Sequence, residues 1–171
     1  MEWYVLFVET GKETEVVESI HKKVSDKEIE LLTPIRKVPE RKNGVISHVF
    51  KGVFPGYVFL KTSMDVNVYY KLLEIPKIIR MLNRYEESGT GFEFYSIPEN
   101  EMELILRLVG KDQIINYSTC SFVNSHLKVL KGPLMGLEDL IDKVEIRKRR
   151  VKIKMDLLGE NRHIDLGIEL I

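Results

Sequence analysis

The apolar residues of this chain come in short runs, and Pro, Gly or Asn-Gly breaks separate one run from the next. The first run, residues 3–8, is rich in aromatic and β-branched residues, which is typical of a strand buried on both faces. Asn43-Gly44 supports positive φ at two successive positions and predicts a hairpin turn. No run approaches the roughly 18 apolar residues that a membrane helix needs. The sequence therefore predicts many short strands and no membrane partner.

Three other segments have apolar residues at helical spacing. Val16, Ile20 and Val24 recur at the period of an amphipathic helix. Asp65 predicts the N-cap of a second helix, and Pro98 suits the first position of a third. The first 110 residues thus have the element order β-α-β-β-β-α-β-α. The fold class expected for this part is α+β, an antiparallel sheet flanked by helices.

The last third of the chain changes character. Residues 111–123 are polar and turn-like and are interpreted as a linker. In residues 124–171, short apolar runs are separated by tight turns, and Val151, Ile153 and Met155 alternate with polar residues at the period of a half-buried strand. Several short strands in about 50 residues predict a small β-barrel.

The net charge is zero, because 26 Lys and Arg balance 26 Asp and Glu. Taken alone, this argues against a nucleic-acid partner, since phosphate binding depends largely on Lys and Arg. The charges are not evenly mixed, however. Acidic residues concentrate in residues 13–18 and 86–103, with a turn predicted at residues 86–90. The candidate nucleic-acid contacts are Lys131, Arg147, Lys148, Arg149, Arg150, Lys152 and Lys154 in the last third, and Arg36, Lys37, Arg41 and Lys42 at the first hairpin.

Residues 147–150 are four consecutive cations at a predicted turn. One interpretation is a solvated turn that charge keeps soluble. The other is a phosphate-contacting patch, because clustered cations release counterions when they bind nucleic acid. Four adjacent cations repel one another, so folding stability does not explain them, and the functional interpretation is favoured. Phosphate contacts carry no sequence information, so a base or shape readout must accompany them.

Residues that catalyse reactions or hold metals form no recognisable pattern. The four histidines are scattered, and Cys120 is the one cysteine, which excludes an intrachain disulfide and favours a reducing compartment. No glycine-rich nucleotide loop follows a strand and opens a helix. We therefore expect a cytoplasmic protein that is not an enzyme, with no catalytic residue, metal or cofactor.

Three motifs, in this order and spacing, resemble the NusG family of transcription elongation factors over nearly the whole chain. They are Trp3-Tyr4-Val5-Leu6-Phe7-Val8 with Thr10-Gly11-Lys12-Glu13, then Phe54-Pro55-Gly56-Tyr57-Val58-Phe59, and Val129-Leu130-Lys131-Gly132-Pro133-Leu134-Met135-Gly136. The resemblance implies an N-terminal NGN domain over residues 1–110, a linker over 111–123, and a C-terminal KOW β-barrel over 124–171.

The resemblance also implies partners and site residues. The NGN domain would bind RNA polymerase through an exposed apolar patch that corresponds, by motif position, to Phe7, Phe54, Tyr57 and Phe59. The alternative for each aromatic residue is a place in the core. Residues 132–138 and the basic turn after them resemble specialised antiterminator paralogs of the LoaP and RfaH-like type.

The function expected from this resemblance is elongation and antitermination on specific operons. The chain would act as a monomer, recruited by a structured hairpin of the nascent leader RNA, with upstream DNA as a further contact. The alternative is a general elongation factor of the same family, whose KOW domain binds a protein partner such as the ribosome or a termination factor.

Overall fold

The computed structural model describes residues 1–25, 28–82, 85–88 and 91–171. By their internal contacts these residues divide into two compact units. The first unit consists of Met1–Thr33 and Phe54–Met102, and the second of Pro34–Val53 and Glu103–Ile171. In the part of the chain that is described, no helix is both long enough and apolar enough to span a membrane.

The first unit is built on a four-stranded sheet in the order β2-β5-β1-β6. Its strands are β1 (Glu2–Val8), β2 (Glu30–Leu32), β5 (Tyr57–Thr62) and β6 (Ile78–Met81), and its helices are α1 (Glu13–Lys23) and α2 (Val66–Leu73). A hairpin of β7 (Tyr85–Ser88) and β8 (Gly91–Phe94) follows, and α3 (Glu99–Leu108) begins in this unit. The predicted turn at residues 86–90 is wrong for 86–88, which belong to β7, and residues 89 and 90 lie outside the described residues.

The pairing of β1 with β5 assigns the two faces of this sheet. Phe7 lies opposite Tyr57 and Val5 opposite Phe59, so these four side chains share one face. The alternate residues, such as Leu6 and Val58, belong to the main apolar core together with residues of α1 and α2. The predicted first strand and first helix are confirmed. Asp65 caps α2 as predicted, since its Oδ1 accepts a hydrogen bond from the Val68 amide at 2.8 Å.

The second unit contains a hairpin, a short strand and a larger sheet. Strands β3 (Ile35–Lys42), β4 (Val45–Gly52) and β9 (Ile114–Ile115) form a three-stranded sheet in the order β4-β3-β9. Strands β10 (Ser118–Val123), β11 (His126–Lys131), β12 (Ile141–Glu145), β13 (Arg150–Leu157) and β14 (Glu160–Leu170) form a five-stranded sheet in the order β11-β10-β14-β13-β12. The α+β fold class and the C-terminal β domain are confirmed.

The hairpin turn at Asn43-Gly44 is confirmed. Asn43 has φ +50° and Gly44 φ +78°, and Lys42 pairs with Val45, so two residues connect the strands. Pro39 lies inside β3, opposite His48, although proline commonly ends a strand. At Pro39 the strand β3 pairs on one side only, because β9 reaches only Ile35 and Arg36. A proline that lacks a backbone donor is tolerated on such an open edge.

The turn-like linker expected at residues 111–123 is wrong in its secondary structure, because β9 and the whole of β10 lie there. Alternation reveals the reason: Ser118 and Cys120 are buried, whereas Thr119 and Ser121 are half-buried. Small polar side chains fit the interior of a strand when a partner satisfies the hydroxyl, as Leu134 does by donating its amide to Ser118 Oγ at 3.0 Å. The domain boundaries predicted from the sequence stay a prediction.

Candidate functional site

An aromatic cluster occupies one face of the first unit's sheet. The rings of Phe7 and Tyr57 meet edge to face with centroids 6.1 Å apart, and Phe54 stacks on Tyr57 at the same separation. Phe54 also contacts Phe59, with centroids 5.6 Å apart. The four aromatic residues predicted at separate motif positions therefore form one connected cluster.

Members of this cluster differ in how much surface they present. Phe7 and Tyr57 are half-buried, Phe54 is 8% exposed, and Phe59 is completely buried. The structure thus gives Phe7 and Tyr57 an outward surface and gives Phe59 none. Phe59 meets the description of a core residue, the alternative for each of these aromatic residues. In this conformation it supports Phe54 from within and is not accessible to a partner.

The turn at residues 54–57 holds the cluster together. Tyr57 donates its amide to the Phe54 carbonyl at 3.0 Å, and Gly56 has φ +82°, as expected when Pro and Gly occupy the centre of a type II turn. A Cβ on Gly56 would lie 3.1 Å from the Val8 carbonyl oxygen, so the position is suited to glycine. The Glu13 carboxylate accepts the Gly56 amide at 2.7 Å.

The role of Glu13 in this turn was not predicted from the sequence. An acidic residue in the first turn of a helix is favoured by the helix dipole, so its presence in α1 gives no sign of a distant partner. The hydrogen bond to Gly56 spans 43 residues and links two of the motifs that carry the family resemblance. The signal available in the sequence was the joint occurrence of those motifs, which spacing by itself could not convert into a contact.

A basic cleft of about 460 Å³ lies in the second unit, between the β3–β4 hairpin and the turn before β13. The hairpin contributes residues 39–41 and Ile46, and the turn contributes residues 147–150. The structure therefore brings Arg41 together with the four consecutive cations, although more than 100 residues separate them in sequence. We call this feature the basic cleft.

Two predicted cations hold the hairpin on the five-stranded sheet. Arg150 donates from Nε to the Pro39 carbonyl at 3.1 Å, and its Nη2 donates to the same oxygen. Arg36 donates from Nη1 to the Asp165 carbonyl at 3.0 Å, and burial lowers the pKa of its guanidinium. These contacts assign Arg36 and Arg150 a positioning role in the free protein, with fewer donors left for a ligand.

Three other arginines of the cleft make no such hydrogen bond within the described residues. Among the residues that the structure describes, no side chain or backbone group pairs with the guanidinium of Arg41, Arg147 or Arg149. The neighbouring charges are already matched, because Lys148 pairs with Glu145 at 2.8 Å and Glu40 pairs with Lys51 at 3.0 Å. The hydrogen bonds from these lysines lower the pKa of both carboxyl groups.

The remaining predicted cations lie outside the lining of the cleft. Lys37 places its ammonium 5.3 Å from the centre of the Tyr117 ring, and Lys152 lies 3.9 Å from Asp165. Lys42 and Lys154 are exposed, at the hairpin tip and on β13. Lys131 is exposed at the end of β11, which is the opposite end of the sheet order from β12. The structure does not bring Lys131 to the cleft.

Arg149 has an unusual backbone conformation for its residue type. Its φ is +51° and its ψ +47°, in the left-handed region, where a residue with a Cβ is disfavoured by roughly 1–2 kcal/mol. Its amide donates to the Ile146 carbonyl and its own carbonyl accepts the Ile168 amide, both at 3.0 Å, which fixes this geometry. Glycine or asparagine would fit the position at lower cost, so folding stability does not account for arginine here.

We expect Arg149→Gly to keep or raise the free energy of unfolding, by up to about 1 kcal/mol, because it removes the left-handed strain and one of four adjacent charges. Urea denaturation followed by circular dichroism measures the change. Lys154→Gly is the control on the neighbouring strand, where glycine is expected to destabilise by roughly 1 kcal/mol. A loss of stability in Arg149→Gly as large as that of the control would contradict the argument.

Two further features concern a reactive thiol and a metal site. Cys120 is completely buried in β10, and burial raises the pKa of its thiol to about 11, so the thiolate that a nucleophile requires is scarce at neutral pH. In the described residues, no group of three His, Cys, Asp or Glu side chains is arranged to hold a metal ion.

Comparison with known proteins identifies a solved structure with a similar fold and a protein family that matches the sequence. A solved structure described as "Domain interaction in Thermotoga maritima NusG" superimposes with a TM-score of 0.55, covering 97% of this chain and 93% of that one at 21% identity. The family described as "Transcription termination factor nusG" matches residues 1–106. The chain belongs to the NusG family of transcription factors.

Curated relatives agree along almost their full length. The transcription termination/antitermination protein NusG of Bacillus subtilis is 26% identical over 170 residues, 96% of this chain and 93% of its own. The protein of the same name from Halalkalibacterium halodurans is 25% identical over 169 residues, with the same coverage. The chain is thus a NusG-type transcription factor, and factors of this family act with RNA polymerase and are not enzymes.

Proposed function

We propose that this chain is a specialised antiterminator of the NusG family. It binds RNA polymerase through Phe7 and Tyr57 of the aromatic cluster and suppresses pausing and termination on particular operons. A structured leader RNA recruits it through the basic cleft. The observation that carries the proposal is the cleft itself, where Arg41, Arg147 and Arg149 converge without partners among the described residues.

The aromatic cluster supplies the contact with the polymerase. Aromatic side chains bury a large area at small entropic cost, and a few such anchors dominate many interfaces. Phe54 stacks on the half-buried ring of Tyr57, and the buried Phe59 contacts Phe54 in turn. The polymerase performs the chemistry, and the factor shifts its conformational balance by binding one state better than another.

The basic cleft supplies recruitment. Each phosphate that a cation neutralises in single-stranded RNA adds about 0.7 to the salt dependence of the binding constant. Three unpaired arginines predict a measurable slope even though the whole chain is neutral. A protein of zero net charge has weak non-specific affinity for nucleic acid. A local basic site therefore favours selected transcripts over DNA in general. Lys37 and Lys42 on the hairpin are proposed contacts to upstream DNA.

The proposal is tested by transcription in two steps. Transcripts crosslinked to the protein in cells are mapped, and the most enriched leader is placed upstream of an intrinsic terminator on a template for purified RNA polymerase. We expect terminator read-through to rise on this template and not on one with a scrambled leader. The double variant Arg147→Gln/Arg149→Asn should lose the increase, whereas Lys128→Gln, an exposed lysine outside the cleft, should keep it.

A general elongation factor is the second candidate, and exposed apolar side chains in the loops between β11 and β12 and between β12 and β13 favour it. Ile146 is 53% exposed and Met135 56% exposed, which suits a protein partner such as the ribosome or a termination factor. Equal read-through on leader and scrambled templates, with crosslinks spread over most transcripts, would select this candidate and overturn operon-specific recruitment.

A further inference from the structure

We infer that the basic cleft holds one unpaired nucleotide of RNA, with its phosphate on the free arginines and its base against Ile46 and Pro39. The inference rests on the proposed function and names the part of the RNA that is read. It also supplies the base readout that phosphate contacts cannot provide.

The shape and lining of the cleft favour a nucleotide over a helical stem. Its volume of about 460 Å³ falls within the range of roughly 300–1,000 Å³ that is usual for small-molecule sites. Ile46, which is 38% exposed, and Pro39 are the apolar residues of the lining. A concave site lined by apolar residues and several cations suits an unstacked base and its phosphate, whereas a double helix presents a convex surface and no free base face.

The cations that line the cleft come from both of its walls and can hold the phosphate of this nucleotide. Arg147 and Arg149 belong to the turn, and Arg41 reaches the same space from the hairpin. The link from Arg150 to the Pro39 carbonyl fixes the turn against the hairpin before any ligand arrives. Because the two walls are already joined, binding does not have to order them, which lowers its entropic cost.

Glu40 gives the cleft a preference among bases. It is the acidic residue of the lining, all of which lies in the described part of the chain, and Lys51 holds its carboxylate at 3.0 Å. A carboxylate accepts hydrogen bonds from the exocyclic amino group of cytosine and finds no such donor on uracil. We therefore expect cytosine to bind better than uracil in an otherwise identical strand.

The test measures binding of the full chain to four fluorescent or competing probes at several KCl concentrations. The probes are a single-stranded octamer of cytidine, the same octamer of uridine, a blunt RNA duplex of eight base pairs, and cytidine monophosphate. We expect the cytidine octamer to bind best, and the duplex and the mononucleotide to bind at least tenfold more weakly.

Variants separate the base contact from the phosphate contact. Ile46→Ala should weaken octamer binding about three- to tenfold at every salt concentration with the slope unchanged, because a base gains less by packing on an aliphatic side chain than by stacking on an aromatic one. Arg41→Gln should weaken binding and reduce the slope by about 0.7. Glu40→Gln should narrow the difference between the cytidine and uridine octamers. Lys128→Gln is the control and should change none of these.

Four results would overturn the inference. Duplex binding as tight as octamer binding, with the same dependence on Arg41, would leave RNA recruitment standing and remove the unpaired nucleotide. Mononucleotide binding within tenfold of the octamer would assign the cleft to a free nucleotide. RNA affinity that is unchanged by both Ile46→Ala and Arg41→Gln would place the RNA elsewhere on the chain. If the chain bound none of the RNA probes, the proposed recruitment would be wrong as well.

Discussion

Gly132→Ala is expected to lower the free energy of unfolding of the C-terminal sheet by about 3 kcal/mol, combining left-handed backbone strain of roughly 1–2 kcal/mol with overpacking of roughly 1–3 kcal/mol. Gly132 has φ +105°, and a Cβ there would lie 2.7 Å from Ser118 Cα and 2.8 Å from the Tyr117 carbonyl oxygen. Backbone atoms of a paired strand cannot move aside as a flexible side chain can.

The damage should spread beyond the glycine itself. Ser118 Oγ accepts the Leu134 amide, and Leu134 is completely enclosed in the core, so a loop that is pushed away from β10 loses both contacts. Amide hydrogen exchange should report lost protection in β10, β11 and β14. The strands β1 and β5 of the first unit should stay protected. The glycine of the third motif therefore has a steric explanation.

Gly159→Ala is the matched control for this prediction. Gly159 also has positive φ, +74°, but a Cβ added there meets no atom within 4 Å. Its substitution should cost only the backbone term, roughly 1 kcal/mol. If Gly132→Ala proved no more destabilising than Gly159→Ala, the close approach to Ser118 would not constrain this position.

Local signals in the sequence were sufficient for much of the fold. Asn43-Gly44 predicted the hairpin turn, and the alternation of Val151, Ile153 and Met155 predicted the buried face of β13, since all three are buried. The first depends on the backbone preference of two residues and the second on a two-residue period. Both signals come from residues that are adjacent or nearly adjacent in sequence.

Other features depend on partners that are distant in sequence, and these could not be predicted. Ser118–Val123 looked like a linker because its small polar residues give little sign of a strand, yet it pairs with β11, the next strand in sequence, and with the distant β14. Proline commonly ends a strand, and only the open edge of β3, which the sequence does not reveal, explains why Pro39 lies inside one. The eleven candidate cations were equivalent in the sequence, and only the packing of the hairpin on the sheet separates Arg36 and Arg150 from Arg41, Arg147 and Arg149.

Tyr57→Ala is expected to weaken binding to RNA polymerase by about 2 kcal/mol, roughly 30-fold, the size usual for an aromatic anchor at the centre of an interface. The substitution removes the ring that contacts both Phe7 and Phe54. Read-through of the terminator should fall with it. Binding of purified polymerase, measured by biolayer interferometry on the full chain, gives the first quantity, and transcription on the leader template gives the second.

Three matched variants separate a lost contact from a damaged fold. Tyr57→Phe keeps the ring and should keep most of the affinity. Tyr70→Ala removes an exposed tyrosine of α2 in the same unit and should leave binding unchanged. Phe59→Leu removes side-chain volume from the core next to the cluster. It should lower the free energy of unfolding by about 1 kcal/mol while largely preserving polymerase binding. Unchanged polymerase affinity in Tyr57→Ala, or a loss in Phe59→Leu as large as that in Tyr57→Ala, would show that the outward surface of Phe7 and Tyr57 is not the contact surface.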